Sequence, residues 1–283
     1  SILDQHAESY RKIRNTLRFL LGNLQDQYTD YNYKSKEISQ WPELEKFMLH
    51  QVYDLNKKFH SYFNEYNFHK VYKELLNFCS QNLSAFYFDI RKDVLYCDEK
   101  TSLTRKSCIQ FLNILLDVLL RWFAPILSFT TEEIFKIIKK EENDTIHLRY
   151  FPKLPKTWQN NKLFEKYSKL KSIRNVCNAG IEVKRTNKEI GSSLETDVEI
   201  YLNKDYFNLI QGFNLSEFCI TSEAKAKSLD ESNLKNLFNL EEVSGIGVLV
   251  KKADGNKCER CWKVKKEVKK AKENKCKRCS KIK

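Results

Sequence analysis

Apolar side chains recur at intervals of three and four along about the first half of the chain, the spacing of helices that bury one face. Over Ser9–Tyr28 the apolar positions are Tyr10, Ile13, Leu17, Leu20, Leu21 and Leu24, with Arg11, Arg14 and Arg18 on other faces. Trp41-Pro42-Glu43 opens a second predicted helix, because proline is tolerated in a first turn. Phe47, Leu49, Val52, Leu55 and Phe59 carry that helix towards Tyr62. A third spans about Asn67–Asn82, through Phe68, Val71, Tyr72, Leu75 and Leu76. An aromatic connector, Phe86–Cys97, leads to a strongly apolar fourth helix over about Leu103–Phe123. Pro125 breaks it, and Thr130-x-x-Glu133 has the form of a capping box for a fifth. Helices of this length joined by short links predict an antiparallel bundle over residues 1–150.

Two prolines within Phe151–Pro155 stop any helix and mark a linker. A long helix is predicted over about Trp158–Glu189, on Leu163, Phe164, Tyr167, Leu170, Ile173 and Val176. The period then changes. Thr196–Leu202 alternates like a strand, and Phe218–Thr221 and Gly247–Lys251 are shorter strand candidates. The mainly α chain is thus expected to continue, over 151–252, as the long helix and a small α+β domain, followed by a tail at 253–283.

Composition agrees with helices: seven glycines and four prolines leave little room for phosphate-cradling loops or runs of hairpin turns. The net charge is +13, and its placement matters more than its size. Residues 251–283 hold 15 Lys and Arg against 4 Asp and Glu, a surplus of 11, while the rest is nearly neutral. So dense a positive field suits a polyanion, nucleic acid before an anionic membrane. A solvated lysine-rich tail is the plainer reading of charge alone. The longest apolar stretch, Phe111–Phe123, is broken by Asn113, Asp117 and Arg121, so no membrane span is predicted. No secretory leader opens the sequence, which points to a reducing, cytoplasmic setting. Ser1 in place of an initiator Met suggests a fragment or a processed chain.

Nine cysteines separate into five scattered ones (Cys79, Cys97, Cys108, Cys177, Cys219) and four near the end. Cys258-Glu-Arg-Cys261 and Cys276-Lys-Arg-Cys279 are two C-x2-C pairs with 14 residues between them. Each pair presents two thiolates on one side of a tight turn, and two pairs complete the tetrahedral S4 set that zinc prefers. Disulfides are disfavoured in a reducing compartment, and a redox C-x2-C would need a βαβ context that is missing. Four protein ligands leave no open coordination position, so one structural Zn2+ is expected. Around the pairs stand Arg260, Trp262, Lys263, Lys265, Lys266, Lys277 and Arg278. Trp262 offers a face for stacking an unpaired base and the cations neutralise phosphates; covering the cluster or packing on the preceding domain is the alternative role for Trp262. The five histidines do not cluster, and no P-loop, G-x-S-x-G, H-E-x-x-H or dinucleotide fingerprint occurs. No catalytic residues are expected.

Several segments, in order, resemble one family. Tyr10–Leu24 resembles the helix that opens the anticodon-binding bundle of isoleucine–tRNA ligases, class I aminoacyl-tRNA synthetases. Tyr66–Tyr72, Phe86–Asp93 and Phe123–Phe129 look like successive bundle segments of the same enzymes. Ile190–Glu195 resembles a stretch shared with the valine enzymes, and the cysteine pairs with Trp262 look like the zinc-binding tail of bacterial-type isoleucine enzymes. The resemblance implies a C-terminal portion comprising bundle, junction domain and zinc tail. It implies tRNA(Ile) as partner, with Arg260 and Trp262 near the anticodon and Arg11, Arg14 and Arg18 on the RNA backbone or in helix-surface ion pairs. The H-I-G-H and K-M-S-K-S type motifs of the catalytic domain are not in this sequence, nor is an editing domain. ATP and Mg2+ would act only through the absent catalytic domain, and a monomer is expected. The other expectation is a free-standing RNA-binding or scaffold protein derived from a synthetase C-terminus, which the coding sequence upstream of Ser1 would reveal.

Overall fold

The computed structural model describes residues 1–24, 28, 33–139, 143–230, 236–269 and 274–282. It divides into two units, Ser1–Leu95 with Glu99–Asn161, and Tyr96–Asp98 with Lys162–Lys283. The first unit is a helical bundle, as the periodicity predicts. Helix α1 spans Ile2–Leu24 and buries Ile13, Thr16, Leu17, Leu20 and Leu24. It starts earlier than expected, and residues 25–27 of the predicted helix lie outside the described residues. Helix α2 (Glu43–Asn64) buries the whole predicted stripe, with Pro42 as its N-cap.

The chain then departs from its predicted course. Helix α3 (Phe68–Asn77) runs into a π-helical stretch, Phe78–Phe88, and on into α4 (Asp89–Cys97). The expected connector at Phe86–Cys97 is therefore helical. In a π-helix the repeat widens to i, i+5, and Phe78, Leu83 and Phe88 are all buried at that interval. A search at 3.6 residues per turn cannot follow it.

Helix α5 (Leu103–Phe123) has the predicted bounds, and Ser102 Oγ caps it by accepting from the Arg105 N–H at 3.2 Å. It is apolar nearly all round and packs against α1, α2 and α6, as a central helix must. Helix α6 (Ser128–Lys139) begins two residues before Thr130, so the expected capping box does not form. The Thr130 hydroxyl instead pairs with the Tyr10 hydroxyl at 2.9 Å. Deep in the bundle, Arg91 grips Glu45 with two hydrogen bonds, Nε to Oε1 at 2.6 Å and Nη2 to Oε2 at 2.7 Å. Tyr87 donates to the same Oε1 at 3.0 Å.

In the second unit α7 (Asn161–Thr186) is followed by β1 (Thr196–Leu202), α8 (Lys204–Leu209), α9 (Leu215–Phe218), β2 (Glu223–Ser228), β3 (Phe238–Leu240) and β4 (Val243–Lys252). The sheet order is β2-β1-β4-β3, with β1 parallel to β2 and antiparallel to β4. Val198, Ile200 and Leu202 face Val250, Val248 and Ile246 across the β1–β4 register, and all six are buried. The strand expected at Phe218–Thr221 is a correction. Asn214 accepts from the Glu217 N–H at 3.2 Å and turns Leu215–Phe218 into a short helix, after which Ile220 takes a φ of +56°. The strand lies further on, in β2, whose alternating Ala and Lys suit a solvated edge.

Helix α7 approaches the sheet through Gly180, where an added Cβ would stand 2.9 Å from Val248 Cγ2 and 3.2 Å from Phe238 Cδ1. Gly180→Ala gains up to about 1 kcal/mol in helix propensity, but overpacking costs about 1–3 kcal/mol. A net loss is expected in urea unfolding followed by far-UV circular dichroism. A net gain would mean that helix and sheet can part at no cost. Among the described residues no helix is long and apolar enough to cross a membrane.

Candidate metal centre and nucleic-acid face

The first cysteine pair sits on a hairpin. Strands β5 (Asn256–Lys257) and β6 (Val264–Lys265) pair antiparallel. The Cys258 N–H donates to Lys263 O and the Trp262 N–H to Cys258 O, both at 2.9 Å, so the chain reverses over Glu259–Trp262. Gly255 enters the hairpin at φ +125°, where a Cβ would fall 2.4 Å from the Lys265 carbonyl carbon; only glycine fits. The second pair opens α10 (Lys277–Ser280), with Cys276 as its N-cap. The Glu259 N–H donates to Asn274 O at 2.9 Å, and Asn274 Nδ2 donates back to Glu259 Oε1 at 3.0 Å, which ties the two turns together.

This brings together the four cysteines predicted from spacing. Cys258, Cys261, Cys276 and Cys279 are buried, and their sulfurs all lie within 4.8 Å of one another. Four zinc–sulfur bonds of about 2.3 Å make a tetrahedron with edges of about 3.8 Å. The Cys261 and Cys276 Sγ atoms are 3.8 Å apart, so the set fits a tetrahedral metal ion. Burial works against charge on Cys258, yet N–H groups of Cys261, Cys276 and Arg260 directed at its sulfur outweigh that and bring its pKa to about 6. Burial raises the Cys261 pKa to about 11 and raises Cys279 further, with neighbouring sulfurs adding to both. One thiolate is welcome there and a second is repelled until a cation joins them. Among the described residues, the four ligand cysteines share their packed core with Val268 and Cys97 alone.

The predicted cations are placed unequally. Arg260 is spent on the chain itself, donating from Nη1 to Ile282 O at 3.3 Å and from Nη2 to Tyr96 O at 3.2 Å. Arg278 reaches Asp98 at 3.4 Å. Lys277 faces Glu267 at 4.0 Å and Lys266 faces Asp254 at 3.1 Å, in solvent. Lys263 and Lys265 are half-buried. Trp262 is 59% exposed. It is held at φ +62°, a conformation that costs a non-glycine residue about 1–3 kcal/mol. Lys257 Nζ lies over its ring, 5.5 Å from the centroid. Spacing gave no weight to Lys257, although its place beside Cys258 was legible. Nothing in the sequence linked Cys97, whose Sγ is 3.6 Å from Arg260 O, to the tail. Arg11, Arg14 and Arg18 lie exposed on α1 in the first unit, with Arg11 3.4 Å from Glu8.

A helical bundle containing the π-interrupted Phe68–Cys97 run, continued by a small sheet and a four-sulfur knuckle pair, defines a class. The family of anticodon-binding domains of tRNA ligases matches residues 45–200, more than half of the chain, and the chain belongs to that family. Its relatives narrow the likeness. It is 53% identical over 268 residues to the isoleucine–tRNA ligase of Pelagibacter ubique, covering 94% of this chain and 28% of that protein. It is 36% identical over 269 residues to the isoleucine–tRNA ligase of Rhodopseudomonas palustris, covering 94% and 26%. The isoleucine–tRNA ligase of Agrobacterium fabrum is likewise 36% identical, with 95% and 27% covered. The chain thus spans little more than a quarter of the length of these relatives.

Proposed function

We propose that this chain is the tRNA-binding, C-terminal portion of an isoleucine–tRNA ligase and grips the anticodon stem-loop of tRNA(Ile). The observation that carries the reading is the 53% identity to an isoleucine–tRNA ligase over 94% of the chain. In the whole enzyme, ATP, isoleucine and tRNA would give isoleucyl-tRNA, AMP and pyrophosphate on a catalytic domain that also holds Mg2+. This portion contributes binding energy remote from the reacting atoms, which raises rate by orienting the acceptor end.

Zinc is the metal proposed for Cys258, Cys261, Cys276 and Cys279, because four thiolates at tetrahedral spacing are its usual structural set. When bound it would supply fold and no chemistry. The residues around it would do the recognising. Trp262 would stack on an unpaired anticodon base, with Lys257 following the adjoining phosphate. Lys263, Lys265, Lys266, Lys277 and Arg278 would add to the positive field, and Arg260 would brace the turn that presents Trp262. Arg11, Arg14 and Arg18 would touch the RNA backbone. The portion is proposed to act as a monomer in the cytoplasm.

The test is fluorescence anisotropy of the chain with tRNA(Ile) and with a non-cognate tRNA, at about physiological salt. Cognate RNA should bind more tightly, and Trp262→Ala should cost about 1–3 kcal/mol of that binding. Equal affinity for both RNAs, unmoved by Trp262→Ala, would overturn the reading.

A further inference from the structure

A cavity of about 590 Å³ opens in the first unit between the segment Tyr33–Leu49 and the segment Pro155–Asn160. That volume lies in the usual range for small-molecule sites, about 300–1,000 Å³. Four lysines line it, Lys34, Lys36, Lys46 and Lys156, and no carboxylate does so among the described residues. The neighbouring Glu37 accepts from Gln110 Nε2 at 3.0 Å instead. Ile38, Leu49 and Trp158 make apolar wall. Trp158 is buried, meets Tyr33 edge-on with ring centres 5.8 Å apart, and has an indole N–H with no acceptor among the described residues.

We infer that this cavity binds a nucleotide, the base against the Trp158 side and the phosphate among the lysines. The inference deepens the anticodon-binding reading and rests on it for the RNA source of that nucleotide. A fatty or aromatic carboxylate would use the apolar wall but needs one cation. Four lysines answer the charge of phosphates on either side of an unpaired base. The base answers the apolar wall of Ile38, Leu49 and the edge of Trp158, which takes any base with little sequence preference.

The experiment uses the whole chain, with an anticodon stem-loop RNA in one arm and AMP in the other. Protection of Lys36 and Lys156 from acetylation is read by mass spectrometry, and binding by anisotropy. The RNA should protect both lysines, and Lys36→Ala with Lys156→Ala should weaken it about tenfold or more. The thermal midpoint should stay put, since both side chains are exposed. Protection by AMP as well would mean that the cavity takes nucleotides free in solution. If the RNA binds with neither protection nor loss in the double variant, the cavity assignment is overturned while anticodon binding stands. If the RNA does not bind but AMP protects the lysines, the anticodon reading falls and the cavity stands. Protection by neither overturns the cavity assignment.

Discussion

Cys276→Ser is expected to unfold the tail from about Asn256 onward while leaving the bundle's helices intact. Cys276 is 2% exposed and one of four sulfurs that converge with little else to pack on. A small module of this kind takes its folding free energy from the metal, with apparent values of about 10–16 kcal/mol for structural zinc at neutral pH. No network of Asn274 and Glu259 hydrogen bonds replaces that, since each such bond contributes about 0.5–1.5 kcal/mol net. If zinc fills the site as proposed, atomic emission should find one equivalent in the parent chain and none in the variant. The amide resonances of Asn256–Lys265 should collapse to unfolded positions, and those of Leu103–Phe123 should not move. Trp262 would then relax from its left-handed conformation, and the affinity for RNA should fall to that of a flexible basic tail. A serine variant that keeps its metal and its hairpin resonances would show that three sulfurs suffice, and the proposed S4 site would fail.

How far the sequence was legible follows from what each element depends on. Helix α5 is legible over about Leu103–Phe123 because its signals are local: a long run that is apolar on nearly every face, with Pro125 just past its end. Strand β1 was equally plain, since its alternation is that of one buried face. The π stretch hid because its repeat is five, and the turn at Asn214 hid because a side-chain cap overrode an apolar run. At the candidate site the ligands were legible because C-x2-C fixes their geometry within a few bonds. Lys257 over Trp262, Cys97 beside the cluster, and the bracing of Arg260 against Ile282 and Tyr96 were not, since only the folded chain brings them together. The lysine-lined cavity has the same origin, joining Lys36 to Lys156 across most of the first unit's sequence.

Hydrophobic periodicity was blind to the bundle's buried charge in another way, and there the second large effect is expected. Glu45→Ala should lower the stability of the bundle by about 3–5 kcal/mol, the usual cost of stranding one member of a buried pair. Glu45 has no exposure and Arg91 is 4% exposed, so neither finds water when the other is gone. The loss should extend to Tyr87, whose hydroxyl donates to Glu45 Oε1 at 3.0 Å and lies 3.3 Å from Cys108 Sγ. Burial first, then Cys108 and Glu45, hold the Tyr87 phenol well above its usual pKa, so it remains a donor at any working pH. Because Glu45 stands on α2, Tyr87 in the π stretch and Arg91 on α4, the network fixes how these three elements meet. Removing both charges together should cost far less. Glu45→Met with Arg91→Met replaces the pair by apolar side chains, a change that is often neutral or stabilising by about 1–4 kcal/mol. Urea unfolding of the single and double variants would separate the penalty of an orphaned charge from the net worth of the pair. A loss below about 1 kcal/mol for Glu45→Ala would mean that water reaches Arg91 in solution, and that the pair behaves as a surface one.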